Sequence, residues 1–158
     1  MRRRGHAGFT LIELLVVVAI IGVLAAIAIA NYLNAVARAR QKRTMADMRT
    51  IATAWETRHS EKGSYSTAGF TFPTGPVTFT QLEAALTPNY ARDIPQVDGW
   101  EQPFEFAFEE GVYAIRSSGR DGIFEGTDYV EAEFDSPDCD IVYSNGRFVS
   151  SPASIQKN

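Results

Sequence analysis

The residues able to do chemistry are few. Glu13 is the single charge in the apolar run Phe9–Ala30, FTLIELLVVVAIIGVLAAIAIA. A charged side chain costs about 2.5–3.5 kcal/mol at the centre of a membrane helix and less near an end, so this carboxylate calls for a partner. Much further on, the loop Ser118-Gly119-Arg120-Asp121-Gly122-Ile123-Phe124-Glu125-Gly126-Thr127-Asp128 sets carboxylates among glycines. Asp121 and Asp128, with backbone carbonyls, could supply the hard oxygens that calcium takes, about six to eight per ion. The spacing is not that of an EF-hand, and a plain acidic turn has the same composition. Other chemistry is poorly served. His6 and His59 are too few and too far apart for a zinc site. Cys139 is the only cysteine, which rules out an intrachain disulfide. No G-x-S-x-G, H-E-x-x-H or phosphate-cradling glycine motif is present.

Hydropathy and periodicity show which elements must position these groups. Leu14–Ala30 is 17 residues without a polar side chain, and Phe9–Ile12 extend it beyond Glu13. At 1.5 Å per residue this is about the length that crosses a bilayer core of roughly 30 Å. Arg2, Arg3 and Arg4 precede it, which favours a cytoplasmic amino end, although Arg38, Arg40, Lys42 and Arg43 follow it and dilute that asymmetry. Helical spacing then continues through Leu33, Val36, Ala37, Met48, Ile51, Ala52 and Trp55, predicting one helix from about Phe9 to near Lys62, stopped at Gly63. Its second half carries an apolar stripe that needs a cover. Residues 63–80 read as an ordered loop rich in Gly, Ser, Thr and Pro. Thr80-Gln81-Leu82-Glu83 reads as a capping box opening a short helix that ends at Thr87-Pro88. Phe104, Phe106 and Phe108 alternate with Glu105, Ala107 and Glu109, as in a strand, and Val112–Ile115 would pair with it. Asn145-Gly146, between Ile141–Ser144 and Arg147–Val149, predicts a type I′ hairpin. Trp100 reads as a core or interface aromatic. The expected fold is α+β: a long amino-terminal helix packed against a small antiparallel sheet of three or four strands.

Charge is unevenly placed on a chain of 158 residues with formal net charge −4. Residues 38–62 hold seven Lys/Arg against three Asp/Glu, and residues 93–140 hold fourteen acids against two arginines. An acidic head argues against nucleic acid as main partner. The two clusters are either solvated surface or surfaces complementary between copies.

Three readings fit the front segment. An ordinary secretory signal shares the basic start and an A-x-A site at Ala28-Ile29-Ala30, but its apolar region is shorter, roughly 7–15 residues. A plain membrane anchor explains the length and gives Glu13 no role. The string Gly8-Phe9-Thr10-Leu11-Ile12-Glu13, after a basic leader and before an apolar helix, resembles the class III signal of type IV pilins and pseudopilins. That resemblance implies cleavage between Gly8 and Phe9 by a prepilin peptidase, N-methylation of Phe9, and retention of the apolar helix as a filament core. It also implies an assembly role for Glu13, pairing with the terminal amine of a neighbouring subunit and so setting register. The chain departs from the family pattern at Ala30, where proline is usual, so the helix keeps its backbone donor there and Gly22 remains the weak point.

The head carries a second resemblance. Asp98-Gly99-Trp100-Glu101-Gln102-Pro103-Phe104 and Tyr113-Ala114-Ile115-Arg116-Ser117-Ser118-Gly119-Arg120-Asp121-Gly122 are similar to text of the major pseudopilin of type II secretion systems, with Glu101 in place of a usual glycine and Glu125 where a Gly-Gly pair is common. It implies one structural calcium held by Asp121, Asp128 and the backbone carbonyl of Ser118. The resulting expectation is a non-enzymatic subunit: leader 1–8, membrane and filament-core helix 9–30, amphipathic helix 31–62, head 63–158. It would sit in the inner membrane with its amino end cytoplasmic and its head periplasmic. There it would assemble with copies of itself, minor pseudopilins and an inner-membrane platform to drive protein secretion across the outer membrane, with force from a cytoplasmic ATPase. The alternative is a major type IV pilin of a surface fibre for adhesion, motility or DNA uptake. A tethered hydrolase has no motif to support it.

Overall fold

The computed structural model describes residues 8–63, 65, 75–109, 111–126, 132–134 and 136–153. The basic leader, most of 64–74, Glu110, residues 127–131 with Asp128, Asp135 and 154–158 lie outside the described residues. The chain divides into two compact units at Ala37/Arg38.

Helix α1 runs Leu11–Lys62, 52 residues, as the spacing predicts. Gly63, at φ 70°, closes it by donating its N–H to the His59 carbonyl at 2.7 Å. In the first unit the apolar side chains from Phe9 to Leu33 are exposed, so the expected continuation of the buried stripe to Leu33 does not hold. Among the described residues one helix is long and apolar enough to cross a membrane, by length and composition, and none of its apolar window is buried.

In the second unit α1 buries Met45, Met48, Ile51, Ala52, Ala54 and Trp55, with Gln41, Thr44 and Arg58 on the same side. A six-stranded sheet covers this stripe, in the order β1-β2-β3-β5-β6-β4. The strands are β1 Gly75–Val77, β2 Glu105–Glu109, β3 Val112–Ser117, β4 Ala132–Phe134, β5 Ile141–Ser144 and β6 Arg147–Pro152. The α+β class is as expected. The sheet is larger than expected and mixed, because β4 pairs parallel to β6. Two edge strands, β1 and β4, are three residues each. They are too short to print a period on the sequence, and pairing with a formed neighbour holds them. The predicted pairs are present: Phe106 lies opposite Ile115, and Asn145 (φ 47°) with Gly146 (φ 83°) makes the turn between β5 and β6.

Helix α2, Phe79–Leu86, corrects the capping frame. Its N-cap is Thr78, whose hydroxyl accepts from Gln81 N–H, while the Gln81 side chain accepts from Thr78 N–H at 3.0 Å. Two Thr-x-x-Gln/Glu frames overlap in Val77-Thr78-Phe79-Thr80-Gln81-Leu82-Glu83. Only the first puts buried apolar residues, Val77 and Leu82, at the two positions of a hydrophobic staple. The Thr80 frame would use Ala84 there, and burial decides between them. Residues 75–80 are accordingly a strand and a helix start, where the sequence suggested loop.

The centre of the core is Trp55, fully buried, 5.1 Å from the Tyr113 ring and donating its indole N–H to the Tyr65 carbonyl at 3.1 Å. The Tyr113 hydroxyl bonds Glu56 and accepts from Gly146 N–H at 3.4 Å, which ties the hairpin turn to α1. Burial and that carboxylate push the Tyr113 phenol well above its ordinary pKa, so it stays a neutral donor.

Glu101 sits at φ 66°, a conformation that L side chains adopt at a cost, with its N–H on the Asp98 carbonyl at 3.1 Å. This gives a physical reason for glycine at the matching position of the resembled pattern. Glu101→Gly is expected to stabilise the chain by about 0.5–1 kcal/mol, the relieved strain exceeding the entropy that glycine adds to the unfolded state. Urea unfolding in mild detergent measures it.

Candidate processing, assembly and ion-binding sites

The front of α1 gives Glu13 a role within its own chain. Thr10 N–H and Thr10 Oγ1 both donate to Glu13 Oε2, at 2.9 and 2.8 Å, and Glu13 N–H returns to Thr10 Oγ1 at 3.3 Å. This is a capping box with Thr10 as N-cap and Glu13 at the third helical position. The signal was in the sequence as Thr10-x-x-Glu13. Both bonds fall on Oε2, so Oε1 has no hydrogen bond among the described residues. Every atom of the box lies after Gly8, so a cut before Phe9 would leave it whole. Gly8 and Phe9 themselves are exposed, Phe9 at 77%, and precede the first helical residue. A peptidase needs an extended, reachable bond, and this one is outside the helix.

In the head, a buried carboxylate organises the resembled D-x-W stretch, a role not read from the sequence. Asp98, 1% exposed, accepts at Oδ1 from Trp100 N–H (2.8 Å) and Gln102 N–H (2.9 Å), and at Oδ2 from the Ser117 hydroxyl (2.6 Å). Ser117 Oγ in turn accepts from Gly119 N–H at 3.2 Å. Asp98 therefore joins the Trp100 turn to the entrance of the acidic loop. The next residue, Gly99, lies against α1: its N–H donates to Thr44 Oγ1 at 2.9 Å, and a Cβ there would stand 2.4 Å from the Arg40 carbonyl oxygen. No residue but glycine fits without moving backbone.

The acidic loop packs over the outer side of β3, which is why that strand is buried on both faces. Arg116 is its hub. Its Nε donates to Glu105 Oε2 at 2.8 Å and its Nη1 to the Gly126 carbonyl at 2.8 Å; Nη1 lies 3.6 Å from Asp140 Oδ2, and Phe124 covers the guanidinium at 4.4 Å. Glu125 N–H donates to Asp140 Oδ2 at 2.9 Å, while Asp140 Oδ1 is buried without a hydrogen bond among the described residues. Burial pushes the Asp140 carboxyl up, a trend that the Glu125 N–H and Arg116 oppose. Burial first, then Glu125, Asp138, Asp140 and Asp121, push the Cys139 thiol up, which leaves it a poor nucleophile. On the other side Arg120 grips Asp138 through two bonds of 2.7 and 2.8 Å and holds that carboxyl below its usual range.

Of the three expected calcium ligands, Ser118 is buried at the loop entrance and Asp121 is exposed, with its Oδ1 accepting from Ile123 N–H at 2.9 Å. Asp128 lies outside the described residues. Among those residues no group of three or more His, Cys, Asp or Glu side chains is arranged to hold a metal. What the loop offers is hard oxygen: Asp121, Glu125 and the orphaned Asp140 Oδ1. That donor chemistry fits calcium and does not suit a thiolate-seeking or imidazole-seeking metal.

A helix whose front is apolar and long enough to cross a membrane, with a sheet packed on its second half, is the architecture expected of a pilin-like subunit. Residues 3–29 match the family model described as the prokaryotic N-terminal methylation motif. The chain is 31% identical over 138 residues to a type II secretion system core protein G from Klebsiella michiganensis, covering 81% of this chain and 92% of that protein. It is 29% identical over 140 residues to the protein of the same description from Pseudomonas aeruginosa, covering 81% and 93%. It is 51% identical over 61 residues, 39% of this chain and 28% of the relative, to the type IV major pilin protein PilA of Myxococcus xanthus. No solved structure matches significantly. The chain belongs to the type IV pilin and pseudopilin superfamily.

Proposed function

We propose that this protein is a non-enzymatic structural subunit of a type II secretion pseudopilus. It is made with a leader that prepilin peptidase removes between Gly8 and Phe9, methylated on Phe9, and held in the inner membrane with the head in the periplasm. From there it polymerises with copies of itself and with minor pseudopilins on an inner-membrane platform. The observation that carries this reading is the likeness to two core G proteins over more than nine-tenths of their length, head included. A second reading, a major type IV pilin, is favoured by the higher identity to PilA, which covers a much shorter stretch.

The Glu13 geometry supports an assembly role. Oε2 holds the start of the chain's own helix, and Oε1 is open to the methylated amine of a neighbour. In an apolar surround a paired carboxylate is tolerated and an unpaired one is costly, so subunits dock in the register that forms the pair. Intact-mass and peptide mass spectrometry of the filament should find an N-methyl-phenylalanine terminus. A terminus at Asn31 would show that the apolar helix is discarded, and the reading would fail.

One calcium ion held by Asp121, Asp128 and the Ser118 carbonyl is part of the same proposal. When bound, it would supply positive charge to a loop whose acids have Arg116 and Arg120 as their cations among the described residues. Titration calorimetry should show one calcium per chain, and Asp121→Ala should abolish it. At a calcium concentration about 100 times the dissociation constant, binding would add about 2.7 kcal/mol to stability. No heat with the wild-type chain would reduce the loop to an ordinary acidic turn.

A further inference from the structure

We infer that Arg38, Arg40, Lys42 and Arg43 form a basic collar on α1 that binds the phosphate headgroups of anionic phospholipid. The inference rests on the membrane-anchored reading above. All four side chains are exposed. Arg43 lies 3.6 Å from Asp47, and Arg38, Arg40 and Lys42 have no ion pair among the described residues.

At 3.6 residues per turn the four cations stand at about 0°, 200°, 40° and 140° around the helix, counted from Arg38. Gln41, Thr44, Met45 and Met48 fill the remaining sector, about 240° to 340°, and are buried beneath the head. Every side of the helix that the head leaves open therefore presents positive charge. A single protein partner would need one charged face, whereas a lipid surface surrounding a helix meets it from all open sides. The collar begins two helical turns after Ala30, the last residue of the apolar run. Basic clusters placed beside a membrane segment are drawn to anionic headgroups, and the attraction fades within a Debye length.

The test uses the processed full-length chain with Cys139→Ser and Ala39→Cys, the new cysteine carrying a nitroxide inside the collar. It is reconstituted in vesicles of phosphatidylcholine alone or with about 30 mol % phosphatidylglycerol. Accessibility of the label to a water-soluble relaxation agent is expected to fall about threefold in the anionic vesicles, and to return at about 0.5 M salt. Replacing all four cations by glutamine should remove the difference between the two lipids while leaving the protein anchored. Equal accessibility in both lipids would overturn the inference. So would protection that tracks protein density at fixed lipid charge, because the cover would then be the acidic loop of a second copy. Flotation separates this from failure of the anchor: a chain that does not float with neutral vesicles is not membrane-held, and the parent reading falls first.

Discussion

Glu13→Val is expected to be cleaved before Phe9 like the wild type and to assemble at least about tenfold less, since leaving one buried charge unpaired costs about 3–5 kcal/mol. The valine also removes the Oε2 half of the capping box with Thr10 but keeps the N–H that donates to Thr10 Oγ1, a smaller loss than the about 0.5–2 kcal/mol of deleting an N-cap side chain. Two further variants separate these effects. Glu13→Gln keeps an acceptor at the third helical position and so keeps the box, but it carries no charge. Thr10→Ala does the reverse, keeping the charge and losing the N-cap hydroxyl. Charge pairing between subunits requires that Glu13→Gln fail as Glu13→Val does, with Thr10→Ala nearly intact. If Glu13→Gln assembles normally, Glu13 is only a cap. Filament yield by sedimentation, with processing scored by mass, decides.

Asp98→Ala should be among the most damaging single changes in the head. It removes the carboxylate that accepts from the Trp100 and Gln102 amides and the Ser117 hydroxyl together, in a place 1% exposed. Each buried donor left without a partner costs about 1–3 kcal/mol, so a loss of roughly 3–5 kcal/mol is expected, with the cavity partly relaxing. Asp98→Asn has the same shape. Its carbonyl oxygen can still take the two amides while its NH2 faces a Ser117 hydroxyl that can turn to accept, so the cost should be about 1–2 kcal/mol. Denaturant midpoints of the two variants in detergent, at equal slope, measure the contrast. Equal loss in both would mean that the formal charge matters and the hydrogen-bond pattern does not.

The two capping boxes show how far sequence reading reaches. Thr78–Gln81 and Thr80–Glu83 are equally good text, and the choice falls to Val77 and Leu82, whose burial is a tertiary fact. Thr10-x-x-Glu13 could have been found by the same pattern. Its backbone role is masked in the sequence because a carboxylate in an apolar run is equally explained by charge pairing. Strand β4 carried no legible signal, since three residues cannot show alternation. The role of Asp98 is hidden for another reason: besides two nearby backbone amides its donors include the hydroxyl of Ser117 on strand β3, which no local spacing announces.

By itself the sequence determined the long helix and its stop at Gly63, the Asn145-Gly146 hairpin, the α+β class and the N-terminal methylation motif. Each follows from interactions within a few residues of chain: helical or strand period, positive φ at a turn, a contiguous string. The tertiary structure alone decided which stretch of α1 is covered, the mixed six-stranded order of the sheet, the close seat of Gly99 on Arg40, and the gathering of Arg116, Glu125 and Asp140 around one loop. Those depend on which distant surfaces meet, and burial and unpaired polar groups are priced only after they have met.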